Sequence, residues 1–226
     1  METNKRPVSF FEADKKEIKI VNIAFAGAVI LSLYYQVFLP FLSDHGGNVL
    51  VMLFAPLLTN IFFIAFMSIA WLAFTALLYN AVRIKLRQRN SWAQWACMAA
   101  IGAIVISSVI HLITLIPMGI LPFVYNRISF SLITVTTVFR LFTNIALLVL
   151  SVFLTYRGRE WLQAAGIVYI VSFIAGILLG EFGLFFDHIL HQVVSYISML
   201  LNLSFLLFLR LSFKPVAKTS DDSCVA

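Results

Sequence analysis

Long apolar runs separated by short basic segments set the pattern of this chain. Six runs stand out, near Ile18–Leu42, Val49–Val82, Trp92–Tyr125, Ser129–Tyr156, Trp161–Phe186 and Ile189–Phe213. Bilayer hydrocarbon is about 30 Å thick and a helix rises about 1.5 Å per residue, so a spanning segment needs roughly 20 apolar residues. Each run meets that length. The runs lack the period of two that marks a barrel strand and are far longer than one. The pattern therefore predicts an all-α integral membrane protein, a bundle of six transmembrane helices spanning residues 18–213.

Outside this domain lie an N-terminal arm, residues 1–17, and a tail, residues 214–226. The arm is polar around Phe10 and Phe11, which suits a short amphipathic helix on the membrane surface. The tail is expected to be disordered.

Composition agrees with lipid as the main solvent: 62% of residues are hydrophobic and only 12% charged, against about one quarter charged in a soluble domain. The net charge of +6 has an equally physical origin. Of the 16 Lys and Arg, all but Arg127 and Arg140 fall before or at the start of the first run, between the second and third, between the fourth and fifth, or at the end of the sixth and just after it. Short basic loops stay on the cytoplasmic side during insertion, so both termini are expected there, in a plasma or bacterial inner membrane. The basic side then meets anionic headgroups, and no nucleic-acid partner is needed to account for the charge.

The first run is about twice the length of a signal-peptide core and is expected to remain as a spanning helix. Cys97 and Cys224 both fall toward the basic, reducing side, which offers no disulfide framework. Pro40, Pro56, Pro117 and Pro122 cluster toward the opposite ends of the first three runs, where irregular backbone could leave a wet vestibule. Runs four to six contain no proline, so an inverted repeat is not supported. Small residues at four-residue spacing, Ala24 and Ala28 in the first run and Gly176 and Gly180 in the fifth, mark packing faces within the chain. The same pairs are the candidate contacts for a separate membrane-protein partner.

Against this background a few polar residues need explaining. Arg140 lies near the midplane of the fourth run, where an arginine costs about 3 kcal/mol, so it is expected to face the interior and find a partner. Asn144 is one turn away on the same face. Glu181, the acidic residue of the fifth run, is the expected counter-charge, reached by side-chain extension and helix tilt. His111, Asn60 and Asn202 are the other groups expected to line the same interior or to hydrogen-bond neighbouring helices. His188 and His191 share a helical face, and Asp187, Glu181 or His111 could complete a metal site, but His-x-x-His spacing alone is a weak signal. Haem between His111 and His191 is weaker still, and no cofactor is expected. The histidines also suit a pH sensor near a carboxylate.

No nucleophile elbow, zinc-protease signature or phosphate-cradling glycine loop occurs, so an intramembrane enzyme ranks last. A sensor or accessory subunit of a membrane complex is the alternative. The leading expectation is binding or translocation of a small anionic or zwitterionic solute at Arg140, Asn144 and Glu181, reached from the side opposite the basic loops.

Overall fold

The computed structural model describes residues 10–38, 61–120, 122–182 and 188–216; side-chain surroundings are described for these except at 61–62, 111–133, 136, 178–182, 188–192 and 194–195. The chain is almost entirely helical. A short strand β1 (Phe11–Ala13) leads into α1 (Lys15–Leu33), which loosens into a π-helical turn at Tyr34–Phe38. There follow α2 (Ile61–Gln88), α3 (Gln94–Ile120), α4 (Pro122–Arg157), α5 (Glu160–Phe182) and α6 (His188–Leu211), then a second strand, β2 (Phe213–Pro215).

Local chemistry explains where these elements begin and end. Asp14 accepts the Glu17 backbone N–H at 2.6 Å while the Glu17 carboxylate accepts the Asp14 N–H at 3.0 Å, a reciprocal capping box that starts α1. At the end of α2, Asn90 takes a left-handed conformation (φ 50°). Its N–H and that of Ser91 turn back to the carbonyls of Arg87 and Leu86, satisfying acceptors the helix would otherwise leave open. Pro122 opens α4, where its missing N–H costs nothing.

Each helix packs against its neighbours in the chain, and α6 returns to α1, so the six helices close into a ring. Strands β1 and β2 pair in parallel across this closure, Phe11 opposite Phe213 and Ala13 opposite Pro215. The buried core lies toward the basic ends of the helices. Leu78, Val82 and Leu86 of α2 meet Cys97 and Ala100 of α3, Leu150 and Leu154 of α4, Leu162 and Ala165 of α5, and Phe205 and Leu209 of α6. Two glycines allow close approach. A Cβ on Gly27 would sit 2.5 Å from the Phe74 ring of α2, and one on Gly166 would sit 2.5 Å from the Ser151 carbonyl of α4 and against the Thr155 hydroxyl.

Among the described residues, four helices are long and apolar enough to cross a membrane: Lys15–Phe38, Phe63–Gln88, Thr137–Arg157 and Glu160–Ile177. Gln94–Ile110 and Tyr196–Leu211 form shorter apolar stretches. Large apolar side chains face outward along them, Ile30 at 64% and Phe66 at 65% exposure, as lipid-facing positions do.

Several expectations change. Phe11 is not on a membrane-surface helix; it is buried in the β1–β2 pair because Asp14 and Glu17 cap α1 and leave residues 11–13 extended. Lys214, placed in the tail, and Pro215, expected in its disordered part, belong to β2. The third helix ends at Ile120 rather than Tyr125, and Pro122 belongs to the fourth. Ala24 and Ala28 are 1% and 0% exposed within the chain itself, so intramolecular packing already occupies that face. Gly176 is exposed, and Gly180 has no described side-chain surroundings.

Candidate functional site

Seven residues make two helical turns less about 20°, so residues spaced alternately three and four apart share one face. On α4 such a stripe runs Leu154, Ser151, Leu147, Asn144, Arg140. Its first three members are 1%, 0% and 5% exposed, Asn144 is half-buried, and Arg140 is exposed. The face that α4 buries near its basic end is thus uncovered further along. The neighbouring α5 shows the same change.

On α5, Leu162, Ala165, Tyr169 and Ser172 are buried, whereas Gly176, the next member of the stripe, is exposed and a Cβ built on it meets nothing within 4 Å. On α6, Leu209 and Phe205 are buried and Asn202 is exposed, although Met199, three residues further on, is buried again. On α3, Ala100 is buried and Ser107, seven residues on, only half so.

Cross-helix contacts fix the relative heights. Gly166 approaches Ser151. Because α4 and α5 run antiparallel, ten residues on from Gly166 and eleven back from Ser151 bring Gly176 level with Arg140. The Tyr169 and Phe205 rings are 4.9 Å apart, which by the same step places Ser198 level with Gly176. Arg140, Gly176 and Ser198 therefore form one layer. Asn144, Ser172 and Asn202 form the layer one turn closer to the basic end.

The floor beneath these layers is aromatic. Phe205 packs on Tyr169 and lies 6.4 Å from Tyr79 across the ring, and all three side chains are buried. The Tyr169 hydroxyl donates to the Asn144 backbone carbonyl at 3.5 Å, joining floor to wall. A second polar seam joins α1 to α2: the Trp71 indole donates to Ser32 at 2.9 Å, and the Tyr35 and Ser68 hydroxyls share a hydrogen bond at 2.7 Å.

Several charges at the basic end have partners, although the buried Arg83 Nε has none among the described residues. Lys85 is paired with Glu17 at 2.6 Å and Lys214 with Glu160 at 3.4 Å, while the Arg210 guanidinium donates to the Asn22 side chain at 2.8 Å. Arg140 makes neither an ion pair nor a hydrogen bond among the described residues. An exposed guanidinium one helical turn from a carboxamide, Asn144, can take a carboxylate, phosphate or similar oxyanion in bidentate fashion.

The structure places exposed Arg140 and half-buried Asn144 on the stripe that α4 buries nearer the basic end, and exposed Asn202 one turn from buried Phe205 on α6. It places Glu181 in the last turn of α5, His111 within α3, and His188 and His191 in the first turns of α6, all by backbone alone. The Arg140–Glu181 pair and the metal candidates therefore lie outside the described side chains, and Asn60 and Asp187 outside the described residues. Among the described residues no group of three His, Cys, Asp or Glu could hold a metal ion. Sequence reasoning overlooked Tyr79, Tyr169 and Phe205 as a floor, because aromatic residues are common throughout an apolar chain. It took Gly176 as a packing residue; extending the stripe through Tyr169 and Ser172 would have placed it opposite the arginine. No protein-family model, no curated protein and no solved structure matches this chain.

Proposed function

We propose that this is a six-span membrane protein with both termini in the cytoplasm, which binds and translocates a small anionic or zwitterionic solute in the half of the bundle opposite the basic loops. The basic-residue distribution supports the topology, and the four long apolar helices with two shorter ones support the number of spans. One observation supports the site: the α4 stripe that buries apolar side chains near the basic end leads to half-buried Asn144 and exposed Arg140, and the α5 stripe beside it leads to exposed Gly176.

In this reading Arg140 supplies the attraction and Asn144 and Asn202 fix orientation through their carboxamides. Gly176 leaves room for the solute body, and the Tyr79, Tyr169 and Phe205 rings stop it from passing further. An arginine that binds an anion near the midplane is tolerated because water and ligand replace the partner it lacks in lipid. The test is uptake of radiolabelled carboxylates, phosphate and amino acids into proteoliposomes. Arg140→Gln should abolish uptake of whichever solute the native protein carries while leaving folding intact. Unchanged uptake in that variant contradicts the assignment.

A further inference from the structure

The ring is closed unequally. Around most of it, neighbouring helices are joined along apolar faces: Gly166 seats α5 on α4, Trp92 packs edge-on to Phe153, and Trp161 stacks on Phe208 at 5.6 Å. The closure between α1 and α6 is different. Among the described residues α1 and α6 meet only over a short stretch, with Val21, Ala24 and Ala28 in the same buried core as Phe205, Leu206 and Leu209. The seam is tied by the short β1–β2 pair and by single polar contacts, namely Phe11 N–H to the Ser212 carbonyl at 2.8 Å, Val216 N–H to the Ala13 carbonyl at 3.2 Å, and Arg210 to Asn22. A ring contact of 5.2 Å between Phe11 and Phe213 and the Lys214 ammonium over the Phe10 ring complete it.

The remaining contacts at this end divide cleanly between two bodies. Glu17–Lys85, Arg89 to the Phe10 carbonyl, Ser32–Trp71, Tyr35–Ser68 and Gly27 against Phe74 bind β1 and α1 to α2. Lys214–Glu160 and Trp161–Phe208 bind β2 and α6 to α5. Two-stranded pairs of this length are marginal on their own. The aromatic floor crosses the same divide, since Tyr79 belongs to the first body and Phe205 and Tyr169 to the second.

We infer that the α1–α6 closure is a gate at the basic end: separating the α1–α2 body from the α5–α6 body unzips β1 from β2, breaks Arg210 from Asn22 and parts Tyr79 from Phe205. The last of these opens the floor beneath the Arg140 layer. The structure is then the state closed on the basic side. This inference rests on the proposed solute site for its purpose, but not for its geometry.

The test uses the full chain with Cys97→Ala and Cys224→Ser, reconstituted in nanodiscs and carrying spin labels at Lys19 and Leu207. Two label-to-label distances are expected by pulsed electron paramagnetic resonance. Adding F11C and F213C and oxidising them should eliminate the longer distance, with reductant restoring it. A single distance, unaffected by that disulfide, overturns the gate. Uptake in proteoliposomes should be lost on oxidation and return with reductant, and uptake that persists through the cross-link also overturns it. Arg140→Gln run in parallel separates the two claims, because it should abolish uptake while both distances remain.

Discussion

At the scale of single residues, Arg140 and Gly176 matter for opposite reasons. Arg140 offers charge without a partner among the described residues, and a Cβ on Gly176 would meet nothing within 4 Å. Charge-assisted hydrogen bonds contribute about 1.5–3 kcal/mol, so Arg140→Gln should weaken solute binding roughly ten- to hundredfold. Arg140→Lys, keeping the charge but losing the fork, should fall between. At Gly176 the expectations for stability and function diverge. Gly176→Ala should raise stability by about 0.5–1 kcal/mol, since alanine favours helix and meets nothing within 4 Å. Gly176→Phe should fold yet block binding, because its ring would occupy the space beside Arg140. Thermal unfolding in detergent and equilibrium binding of the transported solute check both. Arg140 and Asn144 were legible in the sequence because an intramembrane cation is costly and must be accounted for. Gly176 was not, because one glycine reads alike whether it faces a neighbouring helix or open space.

Elements were legible where apolar length alone defines them and misplaced where a short polar signal decides. The capping pair Asp14 and Glu17 ends the extended arm three residues earlier than hydropathy suggests, and Pro122 starts a helix that hydropathy assigned to the one before. The β1–β2 pair joins segments at opposite ends of the chain, and no local pattern announces such a partnership. Close helix approach makes a sharper prediction. Gly27→Ala sets a methyl against the movable Phe74 ring, so it should destabilise by about 1–3 kcal/mol and be rescued by Phe74→Leu. Gly166→Ala sets a methyl against the Ser151 backbone carbonyl, so Thr155→Ala should rescue it only in part. Denaturation midpoints of the four variants distinguish the cases.

For the whole molecule, the ring of helices has a packed core toward the basic end, and among the described residues Arg140, Gly176 and Asn202 beyond it are exposed. The basic residues collect at the packed end, so the account predicts that both termini and the Arg83–Arg89 segment label from the cytoplasmic side. An impermeant lysine or cysteine reagent applied to oriented vesicles checks this, and labelling of the two termini from opposite sides would contradict the six-span reading. The central claim is that the uncovered stripe is wet rather than lipid-filled. Its most direct measurement is the rate at which a membrane-impermeant maleimide modifies N202C, with Cys97→Ala and Cys224→Ser, in sealed oriented vesicles, compared with L206C beside it on α6. The account predicts that N202C reacts from the non-cytoplasmic side, is protected by bound solute, and leaves buried L206C inert. An N202C that reacts only with lipid-soluble reagents, or no faster than L206C, would contradict it.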